Sequence, residues 1–327
     1  MSEIGEEGQE RIRNSTVVIL GLGALGSTVA NILSRAGVGN LRLVDRDFVE
    51  LSNLQRQGIY DEEDVKKNLP KAVAAKNHLA EINSEITYEA LVMDVNPGNV
   101  EKIIRDATVV VDGLDNYYTR ALVNQACVKL GIPWVHGACI STYGTVMTLI
   151  PGKTPCYECF VPGAGERTSP YTCDTVGVFG PVAFLVASWE ASEALKIAAG
   201  NGDSVLGNLI WIDLWGNRVT PISINRNSDC PVCARREFPL LEKREPIMTS
   251  SVCGKNAVQV VPGLDKFDFD VRREVLSRTF PLEVNDYLLK FNAGDYEIVL
   301  FRDGRAMVFG TTDQNVAKSL YTRYIGG

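Results

Sequence analysis

The sequence predicts an α/β fold: a mostly parallel sheet flanked by helices, then a mixed extension, then a small C-terminal α+β domain. Three observations predict this class. Short apolar runs alternate with helical patterns over residues 1–130, which is typical of strand–helix–strand units. A glycine-rich turn lies between the first apolar run and the first helix. From Gly144 to Arg226 the alternation is lost, and strand-like runs surround a loop rich in Pro, Gly and Ser.

The elements of the first part follow in a regular order. Each predicted strand is short and mainly apolar, as expected for a strand of a parallel sheet that is buried on both faces. Each predicted helix has apolar residues spaced three or four apart, with a proline in its first turn or a glycine after its last. The elements are a strand at Val17–Leu20, a helix at Leu25–Arg35, a strand at Leu41–Asp45, a helix at Pro70–Ile82, a strand at Ala107–Asp112 and a helix at Arg120–Leu130.

The middle part is less regular. Strand-like runs are found at Thr145–Ile150 and Leu209–Asp213, and the loop Pro162–Thr175 lies between them. A helical stretch, Pro181–Ala199, follows the loop and ends at Gly200.

A linker is predicted at Glu242–Ser251, which is charged and polar and contains a proline. We therefore predict two domains, residues 1–244 and residues 251–327. The second is read as a small α+β appendage with strands at Ala257–Val261 and Tyr296–Phe301 and helices at Asp270–Thr279 and Asp313–Tyr324.

Composition narrows the function. The chain has 327 residues, and 33 Lys and Arg against 40 Asp and Glu give a formal net charge of −7. That charge, without a long basic run, argues against nucleic acid or an anionic membrane as the main partner. No apolar run reaches the roughly 18 residues that span a bilayer, and the acidic start differs from a signal peptide, so the expected location is cytoplasmic. Only two histidines are present, which leaves few candidates for histidine acid–base catalysis.

The glycine-rich turn, Gly21-Leu22-Gly23-Ala24-Leu25-Gly26, predicts a nucleotide site in a Rossmann-like fold. It follows a strand and opens a helix, whose N-terminus offers free N–H groups to phosphate. Asp45 ends the second strand, where a carboxylate binds ribose hydroxyls. The alternative is a glycine turn used only for close packing. The motif does not specify the nucleotide, and taken alone it favours an NAD-dependent oxidoreductase.

Charged residues behind other strand ends favour a triphosphate instead. Arg56 can make forked hydrogen bonds to phosphate, Lys71 can act as a point cation, and Asp115 could hold Mg²⁺. Taken alone, an Arg or Lys is usually a solvated surface residue, and an Asp-Asn pair is commonly a turn. Because ligands of open α/β sheets bind at the carboxyl ends of strands, the joint placement of these residues indicates one site.

Two cysteine pairs predict a metal site. Cys156 and Cys159 form one CxxC pair, and Cys230 and Cys233 form the second, 70 residues later. Four thiolates suit tetrahedral Zn²⁺ and close its coordination shell, which makes the predicted site structural. A redox dithiol is the alternative for a single pair.

These motifs resemble the MoeB/ThiF/HesA family, whose members are relatives of the ubiquitin-activating enzymes. The resemblance rests on GLGALG at 21–26, LSNLQRQ at 51–57, PK at 70–71 and LDN at 114–116, and with the cysteine pairs it covers about residues 4 to 235. It implies an ATP-dependent adenylyltransferase that activates the C-terminal glycine of a small ubiquitin-like sulfur carrier of the MoaD/ThiS type as an acyl-adenylate and releases pyrophosphate.

The resemblance also implies residue roles. Asp45 binds the ribose, Asn53, Arg56 and Lys71 bind the phosphates, and Asp115 serves magnesium and catalysis. Ala24 replaces the family's usual third glycine, so a methyl group must fit beside the nucleotide. The expected ATP-binding set is Gly21, Gly23, Ala24, Gly26, Asp45, Asp47, Ser52, Asn53, Gln55, Arg56, Lys71, Asp115 and Asn116.

Cys173 is the remaining catalytic candidate. It lies in the loop before the long helix, and an exposed loop thiol with a lowered pKa can act as a nucleophile. In the resembled family a cysteine at this place takes part in thioester or persulfide chemistry in some members. The alternative is a bystander thiol.

The expected partners are a β-grasp carrier ending in Gly-Gly, a second copy of the chain, and a cysteine desulfurase or another sulfur donor. Family members usually begin with a segment carrying an arginine that reaches the neighbouring subunit's ATP, whereas this chain opens at Ile4-Gly5-Glu6. A non-catalytic ATP-binding scaffold is therefore a further alternative. The chain ends in Gly326-Gly327, so a fused carrier competes with an accessory role for the C-terminal domain.

Overall fold

A computed structural model of the chain describes residues 1–167, 176–243, 247–251, 256–262 and 267–326. It divides into two compact units, Met1–Lys243 and Arg244–Gly327. Within the described residues no helix is long and apolar enough to cross a membrane.

One sheet of eight strands organises the first unit. The strands are β1 Thr16–Leu20, β2 Asn40–Asp45, β3 Thr87–Val92, β4 Val109–Asp112, β5 Trp134–Ile140, β6 Tyr143–Leu149, β7 Leu209–Asp213 and β8 Arg218–Ile222. Their order is β3-β2-β1-β4-β5-β6-β7-β8. The first five in this order pair in parallel, and β6, β7 and β8 extend one edge in antiparallel pairing. The predicted α/β class is confirmed.

Helices cover both faces of this sheet. They are α1 Gly5–Arg13, α2 Ala24–Arg35, α3 Glu62–Lys66, α4 Lys71–Ile82, α5 Val100–Ile104, α6 Tyr117–Leu130, α7 Tyr157–Phe160, α8 Gly180–Ala198 and α9 Pro239–Glu242. Strand β1 is apolar throughout because its two faces enter different cores. Val17 and Ile19 pack with α2, α4 and α8, whereas Val18 and Leu20 pack with α5 and α6.

Three strands of this sheet are not predicted from the sequence. In β3 a glutamate and an alanine interrupt the apolar run, and in β5 a histidine and a glycine do so. Every residue of β8 is exposed, so its sequence carries no burial pattern. Pairing with neighbouring strands decides these elements, and local sequence does not record that pairing.

The prediction of a linker at Glu242–Ser251 is wrong for the second half of this segment. Ile247–Ser251 forms strand β9, which pairs antiparallel with β10, Ala257–Pro262. A strand can form there because its backbone hydrogen bonds come from a partner further along the chain, whatever the polarity of its side chains. The division between the units, after Lys243, still falls inside the predicted segment.

In the residues that the structure describes, the second unit is a six-stranded antiparallel sheet with two helices. Its order is β11-β12-β13-β14-β10-β9, with β11 Glu283–Val284, β12 Leu288–Ala293, β13 Tyr296–Phe301 and β14 Ala306–Phe309. The helices are α10 Phe269–Ser277 and α11 Gln314–Tyr324, and Asp268 and Asp313 cap their N-termini. Both helices pack on one face of the sheet through residues such as Leu276 and Tyr321, which confirms the predicted α+β character.

Candidate functional site

The glycine-rich turn joins β1 to α2 with no spare room on its inner side. Gly21 has φ +87°, and a β-carbon there would lie 2.4 Å from the carbonyl oxygen of Gly113, after β4. A β-carbon on Gly26 would lie 1.9 Å from the carbonyl oxygen of Gly21. These two glycines, together with Gly113, let two strand ends and a helix meet at backbone contact.

Gly23 differs from its neighbours because no atom of the described residues requires it to be glycine. Its φ is −73°, and the nearest atom to an added β-carbon is Nε2 of Gln57, at 3.9 Å. Gln57 is 3% exposed, and its Oε1 has no hydrogen-bond partner among the described residues. A glycine without packing and a buried acceptor without a donor together mark a surface that fits a ligand. Ala24 follows as the first residue of α2.

Asp45 holds the outer side of this turn. Its Oδ2 accepts from the backbone N–H of Leu22 at 2.6 Å, and its Oδ1 accepts from the backbone N–H of Asp47 at 2.7 Å. Tyr60 strengthens the turn, since its hydroxyl lies 2.9 Å from the carbonyl oxygen of Leu22 and 3.3 Å from that of Lys71. Sequence reasoning missed Tyr60 and Gln57; both lie just beyond or inside LSNLQRQ, and neither residue type signals a ligand by itself.

Lys71 is a buried cation at the start of α4. Its backbone N–H donates to the carbonyl oxygen of Asp47 at 2.9 Å, and its Nζ lies 3.7 Å from Oδ2 of the same residue. Burial lowers the pKa of Lys71, but surrounding carboxylates, Asp45 foremost, raise it by more, so the net pKa is raised and the ammonium stays charged. The neighbouring Arg46, also missed from the sequence, pairs with Asp94 at 3.2 Å.

The remaining residues of the LSNLQRQ run form a short 3-10 turn, Leu51–Asn53, and the segment after it. Asn53 is buried, and its Oδ1 accepts from the backbone N–H of Glu50 at 3.3 Å. Arg56 is half-buried and donates from Nη1 to the carbonyl oxygen of Ser52 at 3.2 Å. Ser52 and Gln55 are exposed.

Asp115 and Asn116 stand between β4 and α6. Asn116 caps α6 by accepting from the backbone N–H of Thr119 at 2.8 Å, and its Nδ2 donates to Oδ1 of Asp115 at 3.0 Å. Asp115 is exposed, and its carboxylate is among those that raise the pKa values of Lys71 and Arg46. The structure therefore brings the glycine turn, Lys71 and Asp115 to the same edge of the sheet, the one formed by the carboxyl ends of its parallel strands.

The four paired cysteines meet at one point. Their Sγ atoms are 3.9 Å apart for Cys156 and Cys159, 3.7 Å for Cys156 and Cys230, and 3.6 Å for Cys159 and Cys233. A tetrahedral zinc site with Zn–S bonds of about 2.3 Å places its sulfurs about 3.8 Å apart. A disulfide requires about 2 Å. The donor set thus fits one four-thiolate metal ion, and the site is a candidate zinc centre. Cys173 lies outside the described residues.

Comparison with known proteins agrees with this geometry. Residues 1–232 match the model of the ThiF family. The chain is 42% identical over 331 residues to the "Sulfur carrier protein ThiS adenylyltransferase" of Bacillus subtilis, covering 99% of this chain and 96% of the relative. It is 39% identical over 233 residues to the "SAMP-activating enzyme E1" of Haloferax volcanii, covering 71% of this chain and 85% of the relative.

A solved structure shares the fold over part of the chain. The crystal structure of E. coli MccB with ATP superposes with a TM-score of 0.59 at 28% identity, covering 69% of each chain. Fold, site and relatives together define an α/β nucleotidyltransferase of the adenylyltransferase class. The chain belongs to the ThiF family, and the predicted resemblance is confirmed.

Proposed function

We propose that this protein uses ATP to adenylate the C-terminal glycine of a small ubiquitin-like sulfur carrier of the MoaD/ThiS type and releases pyrophosphate. The observation that carries the proposal is the meeting of the glycine turn, the buried Lys71 and the exposed Asp115 at one edge of the sheet. Positioning a magnesium nucleoside triphosphate requires three groups: a turn that fits phosphate, a fixed cation, and a carboxylate.

ATP fits this edge in three respects. Gly23 leaves a surface where a nucleotide can approach the backbone, and the side chain of Gln57 beside it has a buried acceptor without a hydrogen-bond partner among the described residues. Each carboxylate oxygen of Asp45 keeps a lone pair for a ribose hydroxyl after accepting one backbone N–H. The proposed ATP-binding set is Gly21, Gly23, Ala24, Gly26, Asp45, Asp47, Ser52, Asn53, Gln55, Arg56, Lys71, Asp115 and Asn116.

The proposed reaction needs little from the protein besides position and charge. A carboxylate oxygen of the carrier's terminal glycine forms a bond to the α-phosphorus, the bond from that phosphorus to the bridging oxygen breaks, and pyrophosphate leaves with the electron pair. Arg56 and Lys71 stabilise the charge on the phosphates. Asp115 would hold Mg²⁺, which when bound neutralises phosphate oxygens. The attacking carboxylate is already ionised near pH 7, which suits a chain with two histidines.

We further propose that the four-cysteine site binds Zn²⁺ and is structural. Cys156 and Cys159 flank α7, whereas Cys230 and Cys233 lie beyond β8, so a shared ion joins two segments that are far apart in the sequence. The closed shell of four thiolates leaves no position for a substrate.

Later steps and partners extend the same proposal. Cys173 would act after adenylation, in transfer of sulfur from a cysteine desulfurase or another donor, and the enzyme would work as a homodimer. The residues after 250 would form an accessory or docking domain. Because the reaction consumes ATP and needs reduced thiols, the cytoplasm is the proposed location.

The decisive experiment is ATP:pyrophosphate exchange with the full chain, Mg²⁺ and small carriers that end in Gly-Gly. We expect exchange that depends on the carrier and is lost when its last two glycines are deleted, because the terminal carboxylate is the nucleophile. Cys173→Ala should keep exchange and lose only sulfur transfer. ATP:pyrophosphate exchange that does not depend on the carrier would contradict the proposal, as would tight binding of NAD in place of ATP.

A pair of glycine substitutions separates packing from nucleotide binding. Gly26→Ala is expected to lower the free energy of unfolding by more than about 3 kcal/mol, because its β-carbon would lie 1.9 Å from the carbonyl oxygen of Gly21. In Gly23→Ala the nearest described atom to the added β-carbon is Nε2 of Gln57, at 3.9 Å, so this variant should cost about 1 kcal/mol or less while weakening MgATP binding. Urea unfolding and nucleotide titration of both variants measure this. Unchanged MgATP affinity in Gly23→Ala would remove this turn from the site.

A further inference from the structure

A buried ion pair lies directly beneath the turn that carries Asp115. Asp112, the last residue of β4, is 0% exposed, and its Oδ2 accepts from Nε of Arg120 on α6 at 2.9 Å. Nδ1 of His136, on the neighbouring strand β5, lies 2.7 Å from the same oxygen. Burial raises the pKa of Asp112, but Arg120 and His136 lower it by more, and burial lowers the pKa of His136. A neutral histidine therefore donates to a charged carboxylate.

This cluster is bonded to the backbone of the turn on both sides of Leu114. Oδ1 of Asp112 accepts from the backbone N–H of Leu114 at 2.9 Å, and Nη2 of Arg120 donates to the carbonyl oxygen of Leu114 at 2.6 Å. That carbonyl belongs to the peptide group whose nitrogen is that of Asp115. The same Nη2 also donates to the carbonyl oxygen of Gly137 at 3.1 Å, which ties the turn to β5.

The histidine is in turn held by aromatic rings. The centroid of its ring lies 5.1 Å from that of Tyr157, 5.6 Å from that of Trp134 and 5.7 Å from that of Phe160. Tyr157 is 2% exposed and stands between Cys156 and Cys159, so its backbone is part of the cysteine site while its ring packs on His136. The contacts thus run without a break from the cysteine site to the backbone at Asp115.

We propose that Asp112, Arg120 and His136 are positioning residues that hold Asp115 in place for adenylation, and that Tyr157 connects them to the cysteine site. The inference rests on the proposed function. A buried ion pair by itself is weak support for stability, because desolvation offsets its attraction and apolar residues of similar volume often serve as well. Here the hydrogen bonds of the pair go to the two polar groups of Leu114, where a shift of about 1 Å in a reacting group can cost about a hundredfold in rate.

The test compares His136→Phe with His136→Asn in the full chain. Phenylalanine keeps the ring packing but removes the donor to Asp112, whereas the side-chain N–H of asparagine can replace Nδ1–H. We expect His136→Phe to lower kcat of carrier-dependent exchange by about tenfold with KM for ATP within about twofold, and His136→Asn to recover most of the loss. Arg120→Lys, which keeps the charge but cannot reproduce the fork to two carbonyls, should lower kcat further.

A second measurement tests the inference independently of the proposed function. Amide hydrogen exchange over residues 113–116 should be faster in His136→Phe and Arg120→Lys than in the unmodified chain, and this does not depend on any carrier. His78→Phe is the matched control, because it removes the other histidine–carboxylate contact, 2.8 Å from Nε2 to Oδ2 of Asp64. If the unmodified chain shows no ATP:pyrophosphate exchange, this would contradict the proposed function but not the hydrogen-exchange result. Two results would overturn the inference. One is that hydrogen-exchange protection of residues 113–116 is unchanged in the variants. The other is that His136→Phe loses kcat, affinity for ATP and stability together, and that His136→Asn does not recover them.

Discussion

Asp115→Ala is expected to reduce carrier-dependent ATP:pyrophosphate exchange by at least about a hundredfold, the size of effect seen when one preorganised electrostatic group is removed from an active site. Asp115 follows β4 at the edge where the glycine turn and Lys71 lie, and its carboxylate acts on both Lys71 and Arg46. Because the side chain is exposed, its removal should leave the free energy of unfolding nearly unchanged. Exchange kinetics and urea unfolding measured on the same preparation separate the two effects.

The matched control is Asp106→Ala. Asp106 is also an exposed aspartate beside β4, but it precedes the strand and pairs with Arg42 at 2.7 Å at the opposite edge of the sheet. Arg42 is half-buried but keeps its second partner, Glu89, so removal of the exposed Asp106 carboxylate should cost about 1 kcal/mol and the control should keep full exchange activity. If Asp115→Ala exchanged pyrophosphate as fast as Asp106→Ala, the proposed role of the strand edge would be wrong.

Removal of metal from the cysteine site is expected to have the largest effect on stability. The purified, untagged chain should contain one zinc ion, and a strong chelator or the double substitution Cys156→Ser with Cys230→Ser should lower the midpoint of thermal unfolding by about 10 °C or more. The reason is that the Sγ atoms of Cys156 and Cys230 lie 3.7 Å apart but come from segments far apart in the sequence, which a shared ion would join. Metal analysis and thermal scans with and without chelator measure this.

Cys127→Ala serves as the control for this experiment. Cys127 is a buried, free thiol of α6 that is not part of the four-cysteine site, so its removal should cost some packing energy but no zinc. A zinc-free chain that melts at the same temperature with and without chelator would rule out a structural metal at this site.

Much of the candidate site can be predicted from sequence because its chemistry is local. GLGALG places glycines where a strand must turn into a helix, and the two CxxC pairs offer four thiolates at a spacing that suits zinc. Strand ends at Asp45 and Asp112 are confirmed, and parallel pairing of β2, β1 and β4 brings those ends to one edge. The family follows from the same motifs.

Other features are not predictable from local pattern because they depend on pairing between distant segments. The strand β9 forms inside a polar segment only because β10 pairs with it. Asp45 bonds to the glycine turn through the backbone of Leu22, a contact between residues 23 positions apart. His136 is buried and its Nδ1 contacts Asp112, a residue on another strand that no local pattern around His136 indicates.

The amino-acid sequence by itself determined the class of chemistry, because glycines, thiols and charged groups at fixed spacing express their preferences within a few residues of chain. Only the tertiary structure decided which groups meet. It distinguished Gly26, packed on backbone, from Gly23, open on its outer side, and it placed Arg120 beneath Asp115. The physical reason is that burial, backbone contact and hydrogen-bond partners depend on how strands and helices far apart in the chain pack together.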